Sequence, residues 1–158
     1  MGGYRRVGGG VVSGLEELQL DNQVCFALYA ASRALTRLYR PLLDDLGLTY
    51  PQYLVMLVLW ERDTVTVKGL GEALDLDSGT LSPLLKRLES TGLITRVRSS
   101  EDERSVIVQL TEDGVALRDR AQHVPRRLAE ATGLERDELA DLRARLRGLA
   151  DTVGGARH

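Results

Sequence analysis

The sequence has very little cysteine, histidine and lysine. Of its 158 residues one is Cys and two are His. One Cys excludes an internal disulfide framework, and one Cys with two His cannot supply the ligands of the usual zinc site, so we expect neither metal nor cofactor.

No run of 18 apolar residues is present, and no long apolar stretch follows Arg5 and Arg6. We therefore expect no membrane span and no secretion signal, and a cytoplasmic protein whose lone Cys stays a free thiol.

An excess of charge of one sign is also missing. The chain has 21 Lys+Arg and 23 Asp+Glu, and its formal net charge is -2. This balance excludes a histone-like polycation, so any nucleic-acid site must come from local clustering of charge. Only Lys68 and Lys86 are lysines, and the arginines that make up the rest suit contacts to phosphates and bases.

Hydrophobic spacing predicts a mainly helical chain with a small β-hairpin. A Gly-rich flexible tail is expected over residues 1–14. A helical pattern then runs from Leu15 to Leu46, with Asp21 as its N-cap. Pro51 suits the first turn of a second helix, and this helix is apolar on nearly every side. We expect the second helix to lie at the centre of the core.

The middle of the chain has the pattern of a winged helix. Thr66 is expected to cap a short third helix, and Asp77 or Ser78 a fourth. The short gap between these helices predicts a helix-turn-helix. Two β-rich runs with a polar tip follow, Leu93–Arg98 and Ser105–Leu110, and they predict a hairpin.

The C-terminal part is predicted to be helical. Thr111 should cap a helix that bends at Pro125, and a last helix should run from about Glu135 to Val153. Its leucines are spaced three and four residues apart, which suits packing against another helix, including one from a second chain. They are Leu139, Leu142, Leu146 and Leu149.

These elements predict a single domain over residues 15–153. It would contain a winged helix-turn-helix over 62–111, flanked by dimerisation helices over 15–48 and 112–153. Residues 154–158 would form a second tail.

The outer face of the fourth helix is the candidate DNA-reading surface. Small hydroxyl side chains near a helix N-terminus can approach base edges, and cations one or two turns later can reach phosphates. The residues with this placement are Ser78, Thr80, Ser82, Lys86 and Arg87. An ordinary solvated helix face is the alternative for this helix taken alone.

The hairpin strengthens the DNA interpretation. From residue 78 to 100 the chain has four basic residues and one acid, Glu89. Arg96 lies on the first strand of the hairpin, and its tip carries Asp102 and Arg104. An Arg at a hairpin tip can enter a minor groove, and Asp102 could hold its guanidinium in place. The alternative is an exposed salt bridge of little consequence.

The chain also resembles a known family. The order of helices, helix-turn-helix and wing, with DERSVIVQLTEDG after the wing, resembles the MarR family of dimeric transcription regulators. The segments LDNQVCFALYAASRALTRLYRPLLDDLGLTYPQYLVMLVLWE and LDSGTLSPLLKRLESTGLITR are similar to its organic-hydroperoxide-sensing branch, the OhrR repressors. The resemblance extends from about Leu20 to Val153. It implies a non-enzymatic homodimer on an inverted-repeat operator, upstream of a gene for a peroxide-reducing enzyme.

The resemblance also implies a sensor. Its peroxide-reactive residue would be Cys25, with hydrogen bonds from the tyrosines that match at Tyr39 and Tyr50, and with Tyr29 nearby. The family's wing pair Asp-x-Arg matches the residues at 102 and 104. Some members have a second Cys that resolves the oxidised form, and this chain has none. It would be a one-Cys sensor that needs a low-molecular-weight thiol or over-oxidation to complete the switch.

The residues themselves fit this chemistry in part. Near a helix start, backbone N–H groups favour a thiolate at Cys25. Tyr29 is four residues further on, on the same helix face. Tyr39 is 14 residues away, roughly 21 Å along a straight helix, so it would reach Cys25 only in an antiparallel dimer.

The sequence alone leaves other functions open. Cys25 could be a buried, inert thiol, and the tyrosines could be core or interface aromatics. A MarR-type regulator released by a small-molecule ligand would make Cys25 incidental. A thiol peroxidase is disfavoured, because the chain has no second Cys and neither His lies near Cys25 in sequence.

Overall fold

A computed structural model of the chain describes residues 5–7, 10–12 and 16–155. Helices dominate and a small antiparallel sheet accompanies them, which confirms the predicted fold class. The elements in chain order are β1 (Arg5–Val7), β2 (Gly10–Val12), α1 (Val24–Asp44), α2 (Tyr50–Arg62), β3 (Thr64–Thr66), α3 (Val67–Leu74), α4 (Ser78–Ser90), β4 (Ile94–Arg98), β5 (Val106–Leu110), α5 (Glu112–Ala121), α6 (His123–Thr132) and α7 (Arg136–Gly155). The chain divides into two compact units, residues 1–39 and 40–158.

The first unit begins with a short hairpin in the segment predicted as a tail. β1 pairs antiparallel with β2, and Arg5 lies opposite Val12. The other residues of the predicted tail lie outside the described residues. At the opposite end of the chain, α7 continues through Gly155, and residues 156–158 are again outside the described part.

The first long helix begins later than predicted. Asp21 lies in a 3-10 turn, Leu20–Asn22, so it is not the N-cap of α1, which begins at Val24. The Gln23 side-chain amide donates to the carbonyl oxygen of Glu17 at 2.7 Å. Side-chain amides that bind nearby backbone groups compete with helical hydrogen bonds, which explains why this polar segment turns before the helix starts.

The second unit is built around α2, as predicted. Thr49 and Gln52 form a capping box: the Thr49 N–H donates to the Gln52 side chain at 2.9 Å, and Pro51 occupies the first turn. The side chains of this helix that are at most 2% exposed are Tyr53, Val55, Met56 and Leu59. Their burial makes α2 the centre of the core, because each large apolar side chain removed from water contributes ~1.5–3 kcal/mol.

A three-stranded antiparallel sheet completes the winged helix. Its order is β3-β5-β4, with Val65 opposite Val108 and Ile94 opposite Leu110. The predicted hairpin is confirmed as β4 and β5. β3 was not predicted, because three residues between two helices are too short to show alternation.

The base of the wing is held by Thr111 and Gly114. The Thr111 hydroxyl donates to the Gly92 carbonyl oxygen at 2.6 Å and also accepts from the Gly114 N–H, so the predicted cap is confirmed. A Cβ at Gly114 would lie 2.1 Å from the Leu93 carbonyl oxygen. Only glycine fits there. Trp60 Nε1 donates to the Gly114 carbonyl oxygen at 2.8 Å, which ties α2 to the start of α5.

The helical run is interrupted near Pro125 but not at it. α5 ends at Ala121 and α6 begins at His123, so the interruption lies at Gln122. Pro125 lies in the first turn of α6, where a missing N–H removes no helical hydrogen bond. The proline is therefore placed where it favours the start of a helix.

Candidate functional site

The turn between α3 and α4 depends on a close backbone approach. Thr66 caps α3, with its hydroxyl accepting from the Gly69 N–H at 3.0 Å. The Leu76 N–H donates to the Gly71 carbonyl oxygen at 2.9 Å, and a Cβ at Gly71 would lie 2.8 Å from the Leu76 carbonyl oxygen. Gly71 therefore allows the tight turn that sets α4 against α3, and the predicted helix-turn-helix is confirmed.

Asp77 is the N-cap of α4. Its carboxylate accepts from the Thr80 N–H at 2.8 Å and from the Thr80 hydroxyl at 3.1 Å. These hydrogen bonds, chiefly the one from the backbone, hold the pKa of Asp77 below its usual value. Because the Thr80 hydroxyl proton is directed to Asp77, the oxygen of Thr80 faces other partners as an acceptor.

The two faces of α4 divide as predicted. Leu81, Leu85 and Leu88 are buried against the core. The side chains proposed to read DNA are all exposed: Ser78, Thr80, Ser82, Lys86 and Arg87. This helix therefore presents hydroxyl groups near its N-terminus and cations further along to solvent.

Arg96 has a partner that the sequence did not indicate. It lies on β4, half-buried, and its guanidinium forms an ion pair with Glu89 of α4 at 2.6 Å. Glu89 is the single acidic residue that the sequence has between residues 78 and 100. Arg98, two residues closer to the wing tip, is exposed.

The wing tip is closed by backbone hydrogen bonds. The carboxylate of Asp102 accepts from the Arg104 N–H at 3.0 Å, and the Ser105 N–H donates to the Asp102 carbonyl oxygen at 2.8 Å. Among the described residues the Asp102 carboxylate forms no ion pair with the Arg104 guanidinium, contrary to expectation. A carboxylate two residues before a turn N–H accepts from it readily, as in an Asx-turn. The Arg104 side chain is left exposed.

A groove of about 1090 Å³ lies between the helix-turn-helix and the wing. Its walls include α3, the first half of α4, and Arg96, Asp102 and Arg104 of the wing. The groove brings together the two parts of the candidate DNA-reading surface, which are separated in sequence.

Cys25 is an exposed free thiol in the first turn of α1. In the single chain this thiol is accessible, unlike the buried, inert cysteine that was the alternative. Tyr29, one turn further along, is also exposed, and its hydroxyl accepts from Arg33 Nη1 at 2.7 Å. The Arg33 guanidinium also lies 5.4 Å from the centre of the Tyr29 ring. Arg33 was missed in the sequence, although its spacing of four residues from Tyr29 is the signal that would have identified it.

The other two candidate sensor tyrosines lie on different elements. Tyr39 is on α1, half-buried, and this helix is unbroken from Cys25 to Tyr39. Fourteen residues of α-helix span roughly 21 Å, so the two side chains do not meet within one chain. Tyr50 opens α2 in the second unit, and burial raises the pKa of its hydroxyl. That hydroxyl therefore stays protonated, as a hydrogen-bond donor, well above neutral pH.

Apolar side chains are exposed along the two helices predicted to mediate dimerisation. On α1, Leu35 and Leu38 are 36% and 40% exposed. On α7, the exposed side chains include Leu142, Leu146 and Leu149, at 44%, 40% and 41%. Leu139 is half-buried. Rows of leucine at this spacing are typical of helices that pack against another helix.

The described residues contain neither a metal-binding cluster nor a membrane-spanning helix. Within the described part of the chain, no group of three or more His, Cys, Asp or Glu side chains could hold a metal ion. Among those residues, no helix has both the length and the apolar character needed to cross a bilayer.

The chain matches a family of regulators and several individual members. The family model described as "Transcriptional regulator SarA/Rot" matches residues 37–120. The organic hydroperoxide resistance transcriptional regulator of Bacillus subtilis (strain 168) is 51% identical over 138 residues, which cover 87% of this chain and 94% of that protein. The HTH-type transcriptional regulator TtmR of Methylorubrum extorquens (strain PA1) is 48% identical, over 85% of this chain and 69% of that protein.

Solved structures agree with these matches. AbfR of Staphylococcus epidermidis, in its reduced form bound to DNA, is 35% identical with a TM-score of 0.74, over 88% of this chain and 97% of that one. The same protein has been solved in an overoxidised form bound to DNA and in a disulfide form. The relatives are transcriptional regulators, which confirms that this is not an enzyme family.

Proposed function

Since the chain belongs to the MarR family of transcriptional regulators, in its organic-hydroperoxide branch with a single cysteine, we propose that it is a dimeric repressor that releases its operator when Cys25 is oxidised. The observation that carries the proposal is an exposed Cys25 thiol in the first turn of α1, in a chain whose α4 also exposes the candidate DNA-reading side chains. Such a protein would act in the cytoplasm, beside its DNA.

The DNA half of the proposal is supported by the surface of α4 and the wing. Ser78, Thr80 and Ser82 would meet base edges and phosphates in the major groove, while Lys86 and Arg87 contact the backbone. Arg104, exposed at the wing tip, would enter the adjacent minor groove. In a two-fold dimer the two α4 helices would lie about one helical turn, roughly 34 Å, apart on an inverted repeat.

The dimer is supported by the exposed leucines of α1 and α7 and by the distance between Cys25 and Tyr39. If the Tyr39 hydroxyl stabilises the thiolate, as the family resemblance implies, it must belong to the other subunit, because an unbroken helix separates the two residues. The sensor would then lie between subunits. A change there would alter how the two DNA-reading helices are held relative to each other.

The chemistry is that of a thiolate attacking a peroxide. The Cys25 sulfur attacks the terminal oxygen of an organic hydroperoxide, the O–O bond breaks, and the alkoxide takes a proton to leave as an alcohol. The cysteine is oxidised to a sulfenic acid and the peroxide is reduced. In this proposal the backbone N–H groups at the start of α1 and the tyrosine hydroxyls are the hydrogen-bond donors that would lie beside the reacting sulfur.

A second step would complete the switch. A low-molecular-weight thiol attacks the sulfenic sulfur and forms a mixed disulfide, with loss of water. AbfR has been solved on DNA in an overoxidised form, so over-oxidation is compatible with DNA binding in that relative. We therefore favour the mixed disulfide, which adds bulk at the start of α1, as the species that leaves DNA.

The test is a DNA mobility shift with and without cumene hydroperoxide and a small thiol, on wild type and Cys25→Ser. Wild type should bind an inverted repeat when reduced and release it after treatment. Cys25→Ser should bind and stay bound. Release of Cys25→Ser by the same treatment would contradict the sensor. Release of that variant by a phenolic ligand would favour the small-molecule alternative.

A further inference from the structure

Glu89 and Arg96 join the DNA-reading helix to the wing. The Glu89 carboxylate, in the last turn of α4, accepts three hydrogen bonds from Arg96 of β4. Arg96 Nη2 and Nε lie 2.6 and 3.0 Å from Oε2, and the Arg96 N–H lies 3.2 Å from Oε1. Both side chains are half-buried. We call this contact the Glu89–Arg96 clamp.

The position of Glu89 is unfavourable without this partner. A carboxylate near a helix C-terminus is repelled by the helix dipole. Among the described strands β4 pairs only with β5, so it is an edge strand, and the outward N–H groups of an edge strand lack partners in the sheet. The clamp gives the Glu89 carboxylate a cationic partner and gives the outward N–H of Arg96 an acceptor. Hydrogen bonding from the Arg96 side chain holds the pKa of Glu89 below its usual value, so the carboxylate is ionised at neutral pH.

We propose that Glu89 and Arg96 are positioning residues, which set the angle between α4 and the wing and thereby the selectivity for the operator. Two of the guanidinium nitrogens of Arg96, Nε and Nη2, are directed to Glu89, so in this proposal Arg96 holds the wing and does not act chiefly as a phosphate contact. The inference rests on the proposed operator binding. It assigns the direct contacts of this region to the exposed cations Lys86, Arg87, Arg98 and Arg104.

The reason for a fixed angle is geometric. α4 and the wing tip would bind neighbouring grooves of the same duplex, and each groove is reached only if the two elements keep their relative direction. The hairpin is joined to the end of α4 by a short turn at Gly92, so the clamp constrains the wing close to its pivot. A wing that is free to rotate would still bind DNA phosphates, but it would no longer place its side chains at fixed positions along the base sequence.

The decisive variant is Glu89→Gln, because two explanations predict opposite signs. Removing an acid near DNA should tighten binding to any sequence if only charge matters. If the clamp positions the wing, operator affinity should instead fall by about tenfold, a typical size for coupling between residues in contact, while affinity for random DNA stays equal or rises. Glu103→Gln is the matched control: it removes the same charge from the exposed wing tip and should bind the operator slightly more tightly.

Arg96→Gln separates a positioning role from a phosphate contact. Loss of a phosphate contact reduces the salt dependence of binding by about one unit of slope and weakens all sequences alike. If the clamp positions the wing, Arg96→Gln should leave the salt dependence of binding unchanged and lower the ratio of operator affinity to random-DNA affinity. The double variant Glu89→Gln, Arg96→Gln should bind the operator no more weakly than the weaker of the two single variants. Fluorescence of the single tryptophan, Trp60, during thermal unfolding checks that each variant is folded.

The outcomes distinguish this inference from the proposed function. If wild type does not prefer an inverted repeat to random DNA, the proposed operator binding is wrong. If wild type has that preference and Glu89→Gln retains it in full, or if Arg96→Gln lowers the salt slope, the clamp is overturned and the operator binding stands.

Discussion

In α1 the guanidinium of Arg33 donates to the hydroxyl oxygen of Tyr29 at 2.7 Å and lies 5.4 Å from the centre of its ring. Tyr29 follows the Cys25 thiol by one helical turn, so the three side chains share one face of the helix. Since Arg33 supplies the hydrogen bond that Tyr29 accepts, the proton of the Tyr29 hydroxyl is left to donate. The pair adds a donor and a cation to the side of the helix that carries the thiol.

Arg33→Gln should therefore slow the oxidation of Cys25 by organic hydroperoxide. Loss of one hydrogen bond of ~1 kcal/mol corresponds to about a fivefold slower rate. The measurement is the single-turnover loss of free thiol after addition of cumene hydroperoxide. Arg37→Gln is the control, because it removes the same charge one turn further along α1 and should leave the rate near wild type. Equal slowing in both variants would mean that only the overall charge of the helix matters.

A heterodimer tests whether the sensor lies between subunits. One chain carries Cys25→Ser and the other carries Tyr39→Phe, so the remaining Cys25 faces the intact tyrosine of its partner only if the pair forms across the interface. We then expect the wild-type rate per thiol, because 14 residues of helix separate the two side chains within a chain. A rate as slow as that of the Tyr39→Phe homodimer would place the pair within one chain.

Arg104→Ala should weaken operator binding by ~1–3 kcal/mol if the side chain is inserted in a groove. The loss should be largest where the flanking sequence is rich in A·T, because a narrow minor groove attracts arginine. Affinities measured for A·T-rich and G·C-rich flanks check this. Arg98→Ala, on β4, should weaken binding to the A·T-rich and G·C-rich operators to a similar extent, as expected for a phosphate contact. The same loss on both flanks for Arg104→Ala would argue against minor-groove insertion.

Leu146→Asp should dissociate the dimer. The side chain is 40% exposed on the single chain, and a carboxylate in an apolar helix seam is costly to bury without a partner. Sedimentation should show monomers at micromolar concentration. Ala144→Asp introduces the same charge on the opposite side of α7 and should remain dimeric. A Leu146→Asp protein that stays a fully stable dimer would show that another face of the chain forms the interface.

The N-cap of α4 should make stability depend on pH. The folded-state pKa of Asp77 is lowered by hydrogen bonds from Thr80, so its contribution is present above the unfolded-state pKa and is lost as the pH falls through the folded-state value. Asp77→Ala should melt below wild type at pH 7, and the difference should narrow in acid. Asp77→Asn, a neutral cap, should stay closer to wild type at neutral pH. Melting temperatures of the three proteins from neutral to acidic pH measure this, and a constant difference for Asp77→Ala would contradict the role of the charge.

Much of the fold was predictable because its signals are local. Thr66, Asp77 and Thr111 were expected to cap helices, and each accepts a backbone N–H at the start of its helix. Capping depends on residues three apart, which a sequence displays directly. The expectations at Asp21 and Pro125 were wrong in position: Asp21 lies in a 3-10 turn before α1, and Pro125 lies in the first turn of α6.

The candidate site was predictable only in part. By itself the sequence determined which side of α4 faces solvent. It also determined that Cys25 lies near a helix start, and that Tyr39 is too far along the same helix to reach Cys25. Each of these follows from the repeat of the α-helix, which links position in sequence to direction in space. The tertiary structure alone decided which residues of different elements are partners: Glu89 for Arg96, and the Gly114 carbonyl for Trp60. Such contacts depend on how separate elements pack and on which rotamer each side chain adopts, and the spacing of residues along the sequence predicts neither.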